Sequence, residues 1–169
     1  LGGFPERCKP VAVYPNIDTQ ELFMSYDRLN DEISGYKLSL FNPSFYILLQ
    51  YQGQYTEDQL VANFTQSQRE NFLIGMMKVG FLKRLESSVH SFATTMDRTL
   101  KKIEVLENRI KRFKKYKREN PDLNFDDLEP EEVEDEEIRE ALQVGKKMTF
   151  NMNHLDLDRW LTDLKKDKQ

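Results

Sequence analysis

The chain has 169 residues, 38% hydrophobic and 32% charged, with a formal net charge of −4. That length supports one domain with a real core, and the polar balance is typical of an elongated helical protein. The net charge offers no global basicity of the kind that marks a nucleic-acid binder. Cys8 is the only cysteine, which excludes an internal disulfide and makes a reducing, cytoplasmic compartment the simpler expectation. No run of about 20 apolar residues exists, so no membrane partner is expected. The start LGGFPERCKP has neither an initiator Met nor the apolar stretch of a signal peptide, and the expectation is a piece of a longer protein.

Pro5, Pro10 and Pro15 keep residues 1–18 extended, because proline fixes φ and removes a donor. This is read as a connector, with Val11-Ala12-Val13-Tyr14 as a candidate short strand. Residues 19–169 form the expected helical domain: a bundle over 19–88, a hairpin arm over 89–147, and an extended segment with a short helix over 148–169. In the bundle, Leu22, Tyr26, Leu29, Ile33 and Tyr36 recur at helical steps over 19–36, with Gly35 as the stop. Asn42 and Pro43 suit the first positions of a second, buried helix over 43–51.

Ser67 to Glu119 contains no proline and organises the rest. Ser67 and Glu70 have capping-box spacing. Phe72, Leu73, Met76, Met77, Val79, Phe81 and Leu82 make the first half apolar nearly all round, which places it inside the bundle. From Leu85 a stripe continues through Val89, Phe92, Met96, Thr99, Ile103, Leu106, Ile110 and Phe113. Ser87-Ser88 is a candidate kink, since hydroxyls compete for backbone carbonyls. Arg109, Lys111, Arg112, Lys114, Lys115, Lys117 and Arg118 crowd the end of this stretch, where cations suit the helix dipole. An acidic run from Asp122 to Glu140 follows, expected to return along the basic arm from Pro130 to about Lys146. Met148–Met152 alternates and reads as extended. Leu157, Trp160, Leu161 and Leu164 mark a final amphipathic helix anchored by Trp160.

Catalytic and metal chemistry find no constellation. His90 and His154 are the only histidines, and a metal site needs several converging ligands. His154 is expected to cap a helix or face solvent. Ser87 and Ser88 lack a nucleophile elbow, no phosphate loop is present, and Asp135-Glu136-Glu137-Ile138 lies inside an acidic run. The seven arm cations, with Phe113 and Tyr116 between them, are candidate phosphate contacts without base reading. Their plain alternative is a solvated helix end.

The segment QRENFLIGMMKVGFLKRLESSVHSF, and within it Leu82 to Ser88 (LKRLESS), resembles the helical region between the two RecA-like lobes of Swi/Snf-type superfamily 2 helicases, in particular the prokaryotic helicase-related proteins. Phe4-Pro5-Glu6-Arg7, Asn30-Asp31-Glu32-Ile33, Lys37 to Pro43 and Leu155-Asp156-Leu157-Asp158 are similar to flanking parts of that subfamily. The resemblance implies an ATP-dependent translocase on duplex nucleic acid as the parent, with ATP and Mg as its cofactors. This chain would be its inter-lobe insertion. It holds none of the ATPase motifs, so no catalytic residue and no cofactor site carry over to it. Lys83 and Arg84 match the family motif and are candidate contacts to a lobe or to nucleic acid. The flanking lobes are the implied partners, and a monomer is expected.

The fold class expected is thus all-α: an elongated helical bundle with a very long central helix and a helical-hairpin arm. The rival function is a free-standing coiled-coil adaptor that self-associates through the Leu85–Phe113 stripe.

Overall fold

The computed structural model describes residues 8–13, 24–55, 65–121, 143–144 and 150–169. The protein is an all-α helical bundle. Among the described residues four α-helices carry it: α1 (Tyr26–Gly35), α2 (Gln66–Ser87), α3 (Val89–Glu119) and α4 (Leu157–Lys166). The only described sheet pairs β1 (Gln143–Val144) antiparallel with β2 (Phe150–Asn151).

The long helical stretch is parted at Ser88. That residue is extended (φ −167°, ψ 123°), and its side chain accepts from the Ser91 amide at 3.3 Å, capping α3 as α2 ends. Beyond it the chain folds back. The 3-10 turn Ser39–Phe41 lies against both α2 and α3, and Ser44, close by, bonds Glu70 near the start of α2. A continuous helix would hold Glu70 and Ile103 about 50 Å apart at about 1.5 Å per residue. α2 and α3 therefore form a hairpin with each other. The segment expected to return along the basic arm lies outside the described residues, apart from Gln143 and Val144.

α1 runs along the C-terminal half of α2. Tyr26 Oη donates to Glu86 Oε1 at 2.9 Å, and Lys78 Nζ donates to the Ser34 carbonyl at 2.6 Å. Between them Ile33, Leu38 and Phe81 are buried, flanked by Ile74, Met77, Leu82, Phe92 and Met96. The larger core lies on α3. Ile103, Leu106, Ile110 and Phe113 bury the expected stripe against Tyr46, Phe150, Met152, Leu155, Leu157, Trp160 and Leu164. Thr99, the one hydroxyl-bearing residue in that stripe, is buried with its hydroxyl donating to the Thr95 carbonyl at 2.9 Å.

Several local expectations are corrected. The helix over 43–51 is instead two 3-10 turns, Pro43–Tyr46 and Leu49–Tyr55. The break falls at Ile47, which bridges Leu155, while the Leu48 amide donates to the His154 carbonyl at 2.9 Å. Backbone groups given to the 154–156 segment cannot close α-helical turns. The region is only partly buried: Tyr46 is inside, whereas Leu49 and Phe45 are exposed. Val11 and Val13 are exposed and belong to no strand; Tyr14 lies outside the described residues. The capping box at α2 is formed by Thr65 and Gln68, two residues before the expected frame. Glu70 is thereby released from the helix end and serves a tertiary contact instead.

Candidate functional site

Two polar knots tie the C-terminal helix to the segment before Tyr46. Asp167 accepts from three successive amides, Lys37 at 2.9 Å, Leu38 at 3.1 Å and Ser39 at 2.6 Å. Leu38 sits in the left-handed region (φ 51°), which turns these amides toward one point and makes an anion-binding nest. Asp163 accepts from Lys37 Nζ at 2.9 Å and from Tyr46 Oη at 3.1 Å. Burial pushes the Asp163 carboxyl up, but the Lys37 and Tyr46 bonds and the Lys37 and Lys166 charges outweigh it, and the net shift is downward. Tyr46 stacks on Trp160 with ring centroids 5.3 Å apart, and the Trp160 indole donates to the Ser39 carbonyl at 2.9 Å. Burial, with Asp163 and Asp167 nearby, raises the Tyr46 hydroxyl's pKa despite the opposing influence of Ser39. These carboxylates are bonded to groups of the fold, so the knots hold structure.

His154 is neither a cap nor solvent-facing. It is 9% exposed, stacked on Tyr51 at 4.0 Å, with Nδ1 2.7 Å from Tyr55 Oη. Tyr55 Oη also accepts from the Asn151 amide at 3.2 Å, which ties the Tyr55–His154 pair to β2. His90 is exposed on α3, with its carbonyl accepting from Thr94. The two histidines are thus in separate elements, and no group of three or more metal-ligating side chains occurs among the described residues.

The seven arm cations are divided between two sides of α3. Successive residues of a helix are turned by about 100°, so Lys111, Lys115 and Arg118, at i, i+4 and i+7, share one exposed row. Lys114 and Lys117 point toward the C-terminal segment, where they bond Asp158 and Asn153. Lys111 lies 3.7 Å from Glu107, and Lys115 lies 3.7 Å from Glu119. Arg112 and Arg118 are exposed; Arg109 is half-buried. Arg84 leans back on its own helix, 3.4 Å from the Gly80 carbonyl.

The unexplained surface is on α2. Its inner face is core, but Phe72 is 71% exposed, Met76 57% and Val79 52%. With Asn71, Gly75, Gly80 and Lys83 they line a shallow groove of about 580 Å³. The expectation that this half lies wholly inside the bundle is therefore corrected. The elements described cover only one of its two apolar faces. The all-round apolar composition was the sequence signal for this surface, since such a helix needs cover on every side. Glu70, Asp163 and Asp167 gave no comparable signal.

Comparison with protein-family models, with curated proteins and with solved structures finds no match. Among the described residues no helix is long and apolar enough to cross a membrane.

Proposed function

We propose that the chain is a non-catalytic helical coupling module, the insertion between the RecA-like lobes of an ATP-dependent superfamily 2 helicase or translocase. The observation that carries this reading is the second apolar face of α2, which leads directly into the Leu82–Ser88 motif. An inter-lobe insertion must bind its lobes, and this face supplies an anchor of the kind protein interfaces use. The Leu85–Phe113 stripe is a weaker candidate. From Thr99 onward it is packed within the chain, on α4 and the segments beside it, which favours the insertion over a dimer sewn through that stripe. Nucleic-acid contact in this reading is auxiliary, to phosphates and without sequence preference, through exposed cations such as Arg112, Lys115 and Arg118.

The test is the reading frame that contains this segment, followed by assay. A phosphate loop encoded before it and a second-lobe arginine motif after it are expected. The purified chain is expected to bind those lobes while hydrolysing no ATP. A frame without lobes on either side overturns the reading.

A further inference from the structure

Phe72, Met76 and Val79 follow one another at i, i+4 and i+7 on the outer face of α2, and Lys83 continues the row at i+11. The row is about 16 Å long at about 1.5 Å per residue, three helical turns. Gly75 sits beside it, and a Cβ built there would meet nothing within 4 Å. The groove is therefore open to a close backbone approach at its middle. At one end Lys83 is exposed and has no ion-pair partner among the described residues. Glu86, three residues on from Lys83, accepts from the Tyr26 hydroxyl.

We propose that this row seats an amphipathic helix of a partner segment, with large apolar residues at three- and four-residue steps and a carboxylate one turn beyond them for Lys83. The inference rests on the docking reading above and specifies the partner. A helix is favoured over a strand because α2 offers no free backbone edge, and a bound strand would leave its own amides unpaired. Charge complementarity selects an acidic partner. It also argues against a second copy: antiparallel pairing centred on Met76 would set Lys83 against Arg69 of the other chain.

Two synthetic helical peptides test the proposal. They share a leucine row at i, i+4 and i+7 and differ only in glutamate or lysine flanking both its ends. Fluorescence anisotropy against the full chain is expected to show the glutamate peptide binding at least tenfold tighter. Lys83→Glu reverses the preference. Met76→Glu and Gly75→Leu each weaken binding tenfold or more; both change exposed positions with open space, so the fold is retained. Equal binding of the two peptides, or binding indifferent to Met76→Glu, overturns the proposal. So does a concentration-dependent dimer abolished by Met76→Glu, which assigns the groove to a second copy. Lobes that bind the chain without regard to Met76 would overturn this inference while leaving the insertion reading intact.

Discussion

Replacing Asp167 with alanine removes the acceptor of three amide hydrogen bonds at once. The Lys37, Leu38 and Ser39 amides lie 2.6–3.1 Å from its carboxylate, and the residue is 8% exposed. Hydrogen bonds to a charged group contribute about 1.5–3 kcal/mol each, and a buried donor left without a partner costs about 1–3 kcal/mol. The three share one acceptor and one loop, so their losses do not add fully. Leu38 holds a left-handed conformation that costs about 1–2 kcal/mol and relaxes once the nest is empty. The expected net loss for Asp167→Ala is about 3–5 kcal/mol, a large part of the roughly 5–15 kcal/mol of a typical domain. Asp167→Asn keeps an oxygen for two amides but turns an NH₂ toward the third, and about 1–3 kcal/mol is expected. Urea unfolding followed by helical circular dichroism reads both as lower midpoints at unchanged slope. A loss below about 1 kcal/mol for Asp167→Ala would refute the reasoning, because the amides would then have water or another acceptor.

Phe81→Ala and Trp160→Ala, each emptying a fully buried site, are expected to cost about 3–5 kcal/mol in the same assay. Leu82→Ala and Leu85→Ala are expected to cost less, because both leucines are only half-buried. Ser88→Ala removes the α3 cap and should cost about 0.5–2 kcal/mol. The two perturbed carboxyls give opposite pH dependence. Asp163 is held below its ordinary value, so its stabilisation is present above about pH 4 and lost as the pH falls further, through its folded value. Glu70 is pushed up by burial against the bonds from Ser44 and Gln66, so its contribution is full below about pH 4.3 and lost as the pH rises through its folded value. Glu70→Gln should therefore gain on the wild type as the pH rises above about 4.3, in unfolding curves taken at several pH values. For duplex DNA, Arg112→Gln with Lys115→Gln should flatten the salt dependence of affinity by about two charges. An unchanged slope would remove α3 from any phosphate contact.

The helices were legible where one face alone meets the core. The stripe from Thr99 to Phe113 and the Leu157–Trp160–Leu164 row lie where the periodicity put them, and the serine pair marked the reversal at Ser88. The 43–51 segment misled because Asn42 and Pro43 suit a helix start, while its backbone is claimed by Leu155 and His154, about a hundred residues away in sequence. The capping frame misled because Ser67-x-x-Glu70 and Thr65-x-x-Gln68 are equally good locally. The bond from Ser44 then holds Glu70 elsewhere. Asp167 was invisible for a related reason: its partners are backbone amides, which no side-chain pattern reveals. Of the candidate site residues, Lys83 ends beside the exposed groove. The arm cations showed in the sequence as a cluster, which the helix divides between an exposed row and the side that meets the C-terminal segment.

The most direct test of the account is a titration of the full chain against the RecA-like lobes that the proposal expects its reading frame to encode, by calorimetry, for the wild type and Met76→Glu. Saturable binding that Met76→Glu weakens at least tenfold is the predicted result. Absence of binding by the wild-type chain, or a reading frame without such lobes, would contradict the proposal that the outer face of α2 couples this module to RecA-like lobes.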